Sequence, residues 1–151
     1  MTGTAPRRLV KDPTPDIVFG AMEPVDGDGR RLRVVVADDD PVARAMICEV
    51  IANDETLELV GVAEDAGSAV KLVVDRIPDV AVLDWMMPGG GGPQASVEIV
   101  QKSPSTQIVA LTASDSPEAS HQMLRAGAKS ILIKGTPPEE IVRTIHVAMS
   151  F

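Results

Sequence analysis

Asp79-Val80-Ala81-Val82-Leu83-Asp84-Trp85-Met86-Met87-Pro88-Gly89 is the stretch that decides the fold. Asp79–Leu83 reads as a short buried strand, and Asp84 stands just beyond its end. A loop rich in glycine follows, running through Gly89-Gly90-Gly91-Gly92. Pro93 then suits the first turn of a helix reaching about Lys102, because a proline's missing N–H has no partner there in any case.

The same order recurs in both directions. Arg33-Val34-Val35-Val36-Ala37 is a β-branched run suited to a buried strand. Residues 41–53 place Val42, Met46 and Val50 at helical spacing, with Ile47 and Ile51 beside them. Leu57–Ala63 reads as a second strand, and Asp65 can cap a helix through about Asp75. Downstream, Gln107–Leu111 is a fourth strand. Ser116-Pro117 opens a fourth helix and Gly127 closes it. Ser130–Ile133 is a fifth strand. Thr136-Pro137-Pro138-Glu139 matches a capping box ahead of a helix with Ile141, Ile145 and Met149 on one stripe. Five strands alternating with five helices predict an α/β fold with a parallel sheet covered on both faces.

In such folds ligands bind outside the carboxyl ends of the strands. Asp38-Asp39-Asp40 follow the first strand, Asp84 the third and Thr112 the fourth, and Lys134 ends the fifth. Taken singly, each has a plain structural use: Asp38–Asp40 as a helix cap, Asp84 as an Asx-turn residue, Thr112 as a strand-end hydroxyl, Lys134 as a solvated cation. Together on one rim they make a coherent set. Clustered carboxylates suit a hard divalent cation, and Mg2+ fits best because it accepts one or two carboxylates, keeps waters and shares phosphate oxygens. A carboxylate is also a competent nucleophile toward phosphorus. Phosphoryl transfer chiefly needs positioning and neutralised charge, which a metal and an ammonium provide.

Composition narrows the classes. The chain has 151 residues, enough for one domain with a sizeable core. Its formal net charge of -8 repels phosphate backbones, so direct nucleic-acid binding is not expected. Phe19, Trp85 and Phe151 are its only aromatics, which leaves no stacking platform for bases. A single cysteine, Cys48, excludes an intramolecular disulfide and is read as a core residue. No apolar run approaches the ~20 residues of a membrane span, and no signal-peptide core is visible, so a cytoplasmic protein is expected. His121 and His146 are isolated and are expected on the surface.

The motifs resemble those of bacterial response-regulator receiver domains. Val34-Val35-Val36-Ala37-Asp38-Asp39-Asp40-Pro41 is similar to the family's acidic pair, and Asp79–Gly89 resembles the strand and loop around its phosphoacceptor. Leu111-Thr112-Ala113 resembles the switch threonine, and Gly127-Ala128 with Ile131-Leu132-Ile133-Lys134 the segment bearing the family's lysine. The likeness covers about Leu32 to Ser150. It implies a (βα)5 flavodoxin-like three-layer sandwich with strand order 2-1-3-4-5. It also implies that Asp84 accepts a phosphoryl group from a histidine kinase or phosphotransfer protein. Asp39, Asp84 and the Met86 backbone carbonyl would bind Mg2+, with Asp38 holding metal-bound water. Thr112 and Lys134 would hold phosphoryl oxygens. The fourth helix, fifth strand and fifth helix would carry the signal to a protein effector or a C-terminal output domain absent from the chain, and support a homodimer. Such a chain promotes its own phosphorylation and dephosphorylation and is not an enzyme in the ordinary sense.

Three departures qualify the likeness. Ile131 occupies the position of the family's switch aromatic, Gly135 follows the lysine where many relatives have proline, and the Gly89–Gly92 run is expected to be a mobile loop. Ile131 and Gly135 keep a second reading open: a receiver-like interaction module that does not need phosphate. A phosphatase of the haloacid dehalogenase type would need a carboxylate two residues after its nucleophile, and position 86 is Met. Residues 1–31, with Pro6, Pro13, Pro15 and Pro24 and then Asp26–Arg31, read as a flexible extension with Ile17-Val18-Phe19 as its one docking patch.

Overall fold

The computed structural model describes residues 29–113 and 116–150. The expected extension and its Ile17-Val18-Phe19 patch lie outside the described residues up to position 28. Strand and helix alternate as β1 (Leu32–Ala37), α1 (Pro41–Ala52), β2 (Leu57–Ala63), α2 (Ala66–Arg76) and β3 (Val80–Asp84), then α3 (Gly91–Lys102), β4 (Gln107–Thr112), α4 (Pro117–Ala126), β5 (Ser130–Ile133) and α5 (Pro138–Ala148). All pairings are parallel, in the order β2-β1-β3-β4-β5. This is the flavodoxin-like 2-1-3-4-5 arrangement.

Side chains of a strand alternate between faces, so each strand feeds two cores. Val34, Val36, Val80, Val82, Val109 and Leu111 pack with Ile47 and Ile51 of α1 and Ile141 and Ile145 of α5. Val35, Ala37, Ala81, Leu83, Ile108 and Ala110 face Val73 of α2, Ala95 and Ile99 of α3 and Met123 of α4. The uninterrupted valine run of β1 follows directly: neither face reaches water.

Helix starts explain how the rim is kept clear. Of the three consecutive acids after β1, Asp40 is the cap, its side chain accepting from Val42 N at 3.0 Å. The cap therefore needs neither Asp38 nor Asp39, and Asp38 Oδ1 accepts from Asp40 N at 2.9 Å. Asp65 caps α2 and Ser116 caps α4, as their positions predicted. The capping box expected at Thr136 does not form. Pro137 holds the cap position, and the Thr136 hydroxyl instead donates back to the Ile133 carbonyl.

Three further expectations are corrected. On α1 the buried stripe is Ile47 and Ile51, whereas Val42 and Met46 face solvent. His146 is half-buried, with Nε2 2.8 Å from the Thr56 hydroxyl, which itself donates to Asp54. Burial holds its pKa below the ordinary value, and the charge of Asp54 opposes this. The Gly89–Gly92 run is not a mobile loop throughout: α3 starts at Gly91, two residues before Pro93, and Gly91 and Gly92 are buried in its first turn.

Close approach explains the glycines. A Cβ at Gly92 would stand 2.5 Å from the Asp84 carbonyl oxygen and 2.9 Å from the Met123 Sδ and Cε atoms. A carbonyl fixed in the sheet end cannot retreat, so Gly92→Ala should destabilise the fold by about 1–3 kcal/mol. Urea unfolding would read this, and a loss under about 0.5 kcal/mol, the usual scatter of surface changes, would contradict it.

Candidate functional site

Ladder register delivers the chemistry to one rim. Asp38 follows β1, and its N–H donates to the Ala63 carbonyl at the end of β2, 3.1 Å away. Asp84 is the last residue of β3, paired with Leu111, and Trp85 N donates to the Leu111 carbonyl at 2.9 Å. Thr112 ends β4 opposite Ile133, and its carbonyl accepts from Lys134 N at 2.8 Å. Three neighbouring strands therefore end together, carrying an acid, an acid and a hydroxyl, while the fifth strand brings the lysine.

The Lys134 ammonium bridges two acids. Its Nζ lies 3.0 Å from Asp38 Oδ2 and 3.3 Å from Asp84 Oδ2, and it also donates to Asp38 Oδ1 at 3.3 Å. The carboxylates of Asp38, Asp39 and Asp84 each offer an oxygen within 4.8 Å of the others. Asp38 and Asp84 are buried and Asp39 is exposed. Thr112 is buried at the same rim. Met86 lies two residues past Asp84 and turns its side chain to solvent. Arg44 steadies the first loop by donating to the Asp38 carbonyl at 2.8 Å.

Three acids against one cation leave an excess of negative charge in a buried place. The Asp84 pKa is pushed up to about 7, first by burial, then by the hydrogen bond and like charge of Asp38, with Lys134 pulling the other way. For Lys134 partial burial acts to lower the pKa, but the two carboxylates outweigh it and hold the ammonium above its ordinary range. Asp38 Oδ2 is buried and, although in ion-pair contact with Lys134, accepts no hydrogen bond. A buried carboxylate oxygen that accepts no hydrogen bond, surplus negative charge and an all-oxygen donor set fit a hard divalent cation.

A pH dependence follows. An acid whose pKa is higher folded than unfolded binds more protons in the folded state, so stability falls as pH rises between the two values. For Asp84 the window runs from 3.8 to about 7. Relative to Asp84→Asn, the metal-free wild type should therefore lose thermal stability across that window, and a divalent cation should restore it at the upper end. Thermal scans in chelator read this, and an identical slope in an Asp84→Asn variant would contradict it.

Two departures now have places. Ile131 is half-buried and packs against the same core cluster as Trp85. Gly135 adopts φ +92, a left-handed turn suited to glycine. Lys134 is nonetheless anchored by its backbone bond to Thr112 and by both carboxylates. One participant had no signal in the sequence: the Trp85 indole Nε1 donates to Gln122 Oε1 of α4 at 2.9 Å, across 37 residues of chain.

Known proteins resemble this chain in sequence and in fold. The Probable transcriptional regulatory protein NarL of Mycobacterium tuberculosis is 33% identical over 115 residues, covering 76% of this chain and 53% of that protein. The oxygen regulatory protein NreC of Staphylococcus haemolyticus is 35% identical over 119 residues, covering 76% and 55%. The chain thus spans about half the length of the curated relatives it matches. The solved signal receiver domain of Mycobacterium tuberculosis NarL superposes with a TM-score of 0.76 at 31% identity, covering 80% of this chain and 98% of that one. The sequence profile described as Response regulator receiver domain matches residues 34–146, from β1 into α5. With that match enclosing every strand end of the rim, the chain belongs to the response regulator receiver domain family of two-component systems.

Proposed function

We propose that the chain is a phosphorylation-controlled switch in which Asp84 accepts a phosphoryl group from a histidine kinase or phosphotransfer protein. The observation that carries this reading is the Lys134 ammonium in contact with both Asp38 and Asp84. Asp39, Asp84 and the Met86 carbonyl, with Asp38 acting through water, would hold Mg2+. When bound, the ion neutralises charge around the incoming phosphoryl oxygens. An Asp84 oxygen attacks phosphorus, and the P–N bond of the donor breaks with its electron pair going to the departing imidazole. Lys134 transfers its ion pair from the carboxylate to a phosphoryl oxygen. The Thr112 hydroxyl holds another.

Water later attacks phosphorus, the bond from phosphorus to the Asp84 oxygen breaks, and inorganic phosphate leaves with the carboxylate restored, so the chain acts on its own side chain. The surface of α4, β5 and α5 carries the change to a protein partner, a second copy or an output segment. Regulators about twice the length, with transcriptional names, support that last role. Ile131 favours a second reading, a phosphate-independent interaction module, because an aliphatic side chain has no polar tip to report the state of Thr112.

Trp85 adjoins Asp84 and is the only tryptophan, so its emission tests the proposal. Mg2+ and then beryllium fluoride, which mimics the acyl phosphate, should each change Trp85 fluorescence, and the second change should vanish in Asp84→Asn. Silence to both, together with no uptake of phosphate from acetyl phosphate, would favour the phosphate-independent module.

Met86 sets how long the acyl phosphate lasts. Its exposed thioether cannot orient water, whereas Met86→Asn or Met86→Glu offers a group that can. Acyl-phosphate lifetime should shorten severalfold in these variants, and an unaltered lifetime would contradict the role.

A further inference from the structure

The geometry points to a latch between the acceptor loop and α4, made by Trp85 and Gln122, that links the state of Asp84 to the position of α4. This inference rests on the proposed phosphoacceptor role of Asp84. It goes beyond that role by naming the pair through which the change leaves the site.

Trp85 is fixed on the acceptor side at both backbone groups. Its N–H donates to Leu111 of β4, and its carbonyl accepts from Gly92 N at 2.9 Å. Its indole lies half-buried against the core and spends its one polar group on Gln122 Oε1. The next residue of α4, Met123, is fully buried against Gly92, directly behind the Asp84 carbonyl. Thus α4 meets the acceptor loop twice, once through an apolar contact and once through a directional bond. The apolar contact tolerates small shifts, whereas a hydrogen bond weakens steeply with angle and distance.

Position 131 explains why such a bond matters here. Ile131 packs in the same cluster as Trp85 but has no polar atom with which to favour one rotamer. Among the described residues the Trp85–Gln122 bond is a directional side-chain link from the acceptor loop to α4 that Ile131 cannot provide. The bond lies near the surface, so it is worth only a modest net stabilisation. A contact of that size can be broken by a ligand acting a few ångströms away, as a two-state element requires.

The test uses the whole chain and hydrogen exchange of the α4 backbone amides, before and after Mg2+ with beryllium fluoride. Bound beryllium fluoride is followed separately by its fluorine resonance. In the wild type, binding should speed α4 exchange. In Gln122→Leu and Trp85→Phe, α4 should exchange roughly fivefold faster at the outset. Binding should then add little, although the fluorine signal shows the site occupied. Gln122→Glu keeps an acceptor for the indole and should restore the wild-type response. A purely structural role would speed exchange without removing the beryllium fluoride response. Variants that bind beryllium fluoride and respond like the wild type would overturn the latch. Absence of the fluorine signal in the wild type would instead reject the phosphoacceptor reading and the latch with it.

Discussion

Asp84→Asn protein should take up no phosphoryl group and, without metal, should be more stable than the wild type near neutral pH. The loss of function follows from chemistry, since an amide oxygen is not a nucleophile toward phosphorus under these conditions. The gain in stability follows from the site. Asp84 is buried beside Asp38, and its pKa stands at about 7 against a normal 3.8. A displacement of that size corresponds to at most about 4 kcal/mol of unfavourable charge burial. Asparagine still has polar atoms to satisfy, so the expected gain is about 1–3 kcal/mol, or several degrees in Tm. Mg2+ should shrink or invert the difference, because the ion stabilises the folded state of the wild type by binding it. Thermal unfolding with chelator and with Mg2+ measures both. A metal-free Asp84→Asn protein less stable than the wild type would show that the carboxylate is not held at a disadvantage.

Lys134→Ala should have the opposite effect on stability and should slow phosphorylation without abolishing it. Removing the ammonium leaves Asp38 and Asp84 buried with no cation, and breaking a buried pair from one side typically costs about 3–5 kcal/mol. The Lys134 side chain is 21% exposed, so water takes up part of that loss and about 2–3 kcal/mol is expected. Mg2+ should recover a share, since it replaces some of the missing charge. Phosphorylation by acetyl phosphate should slow by about 10²-fold, the usual effect of deleting a preorganised donor to developing oxyanion charge. Lys134→Arg should recover stability better than rate, because a planar fork keeps the charge but places it differently. Equal phosphorylation rates in Lys134→Ala and wild type would remove the residue from the mechanism.

The fold was legible because its signals are local. Valine runs mark strands buried on both faces, and Asp65, Ser116 and Gly127 mark helix ends by groups that act within a few residues. The rim was legible for the same reason: in a parallel sheet, the residue after each strand must arrive at one edge. What escaped depends on partners distant in the chain. Nothing near Gly91 and Gly92 announces that a Cβ there would run into the Trp85 and Asp84 carbonyls, or that α3 starts at Gly91. Val42 and Met46 share helical spacing with truly buried residues, and only the placement of α1 on the sheet decides which stripe is covered. His146 looked isolated until α5 brought it to Thr56, and Trp85 met Gln122 only once α4 had packed. Thr136 does not cap because Pro137 holds the cap position, and its hydroxyl donates to the Ile133 carbonyl, which a pattern of residue types cannot reveal.

The central claim is that Asp84, not a neighbouring acid, carries the phosphoryl group. Borohydride reduces an aspartyl phosphate to homoserine with release of phosphate, leaving a permanent mark at the acceptor. Protein treated with acetyl phosphate and Mg2+, then reduced and mapped by peptide mass spectrometry, should show homoserine at position 84 and nowhere else. Homoserine at 38 or 39, or no conversion in a protein that binds Mg2+, would contradict the account.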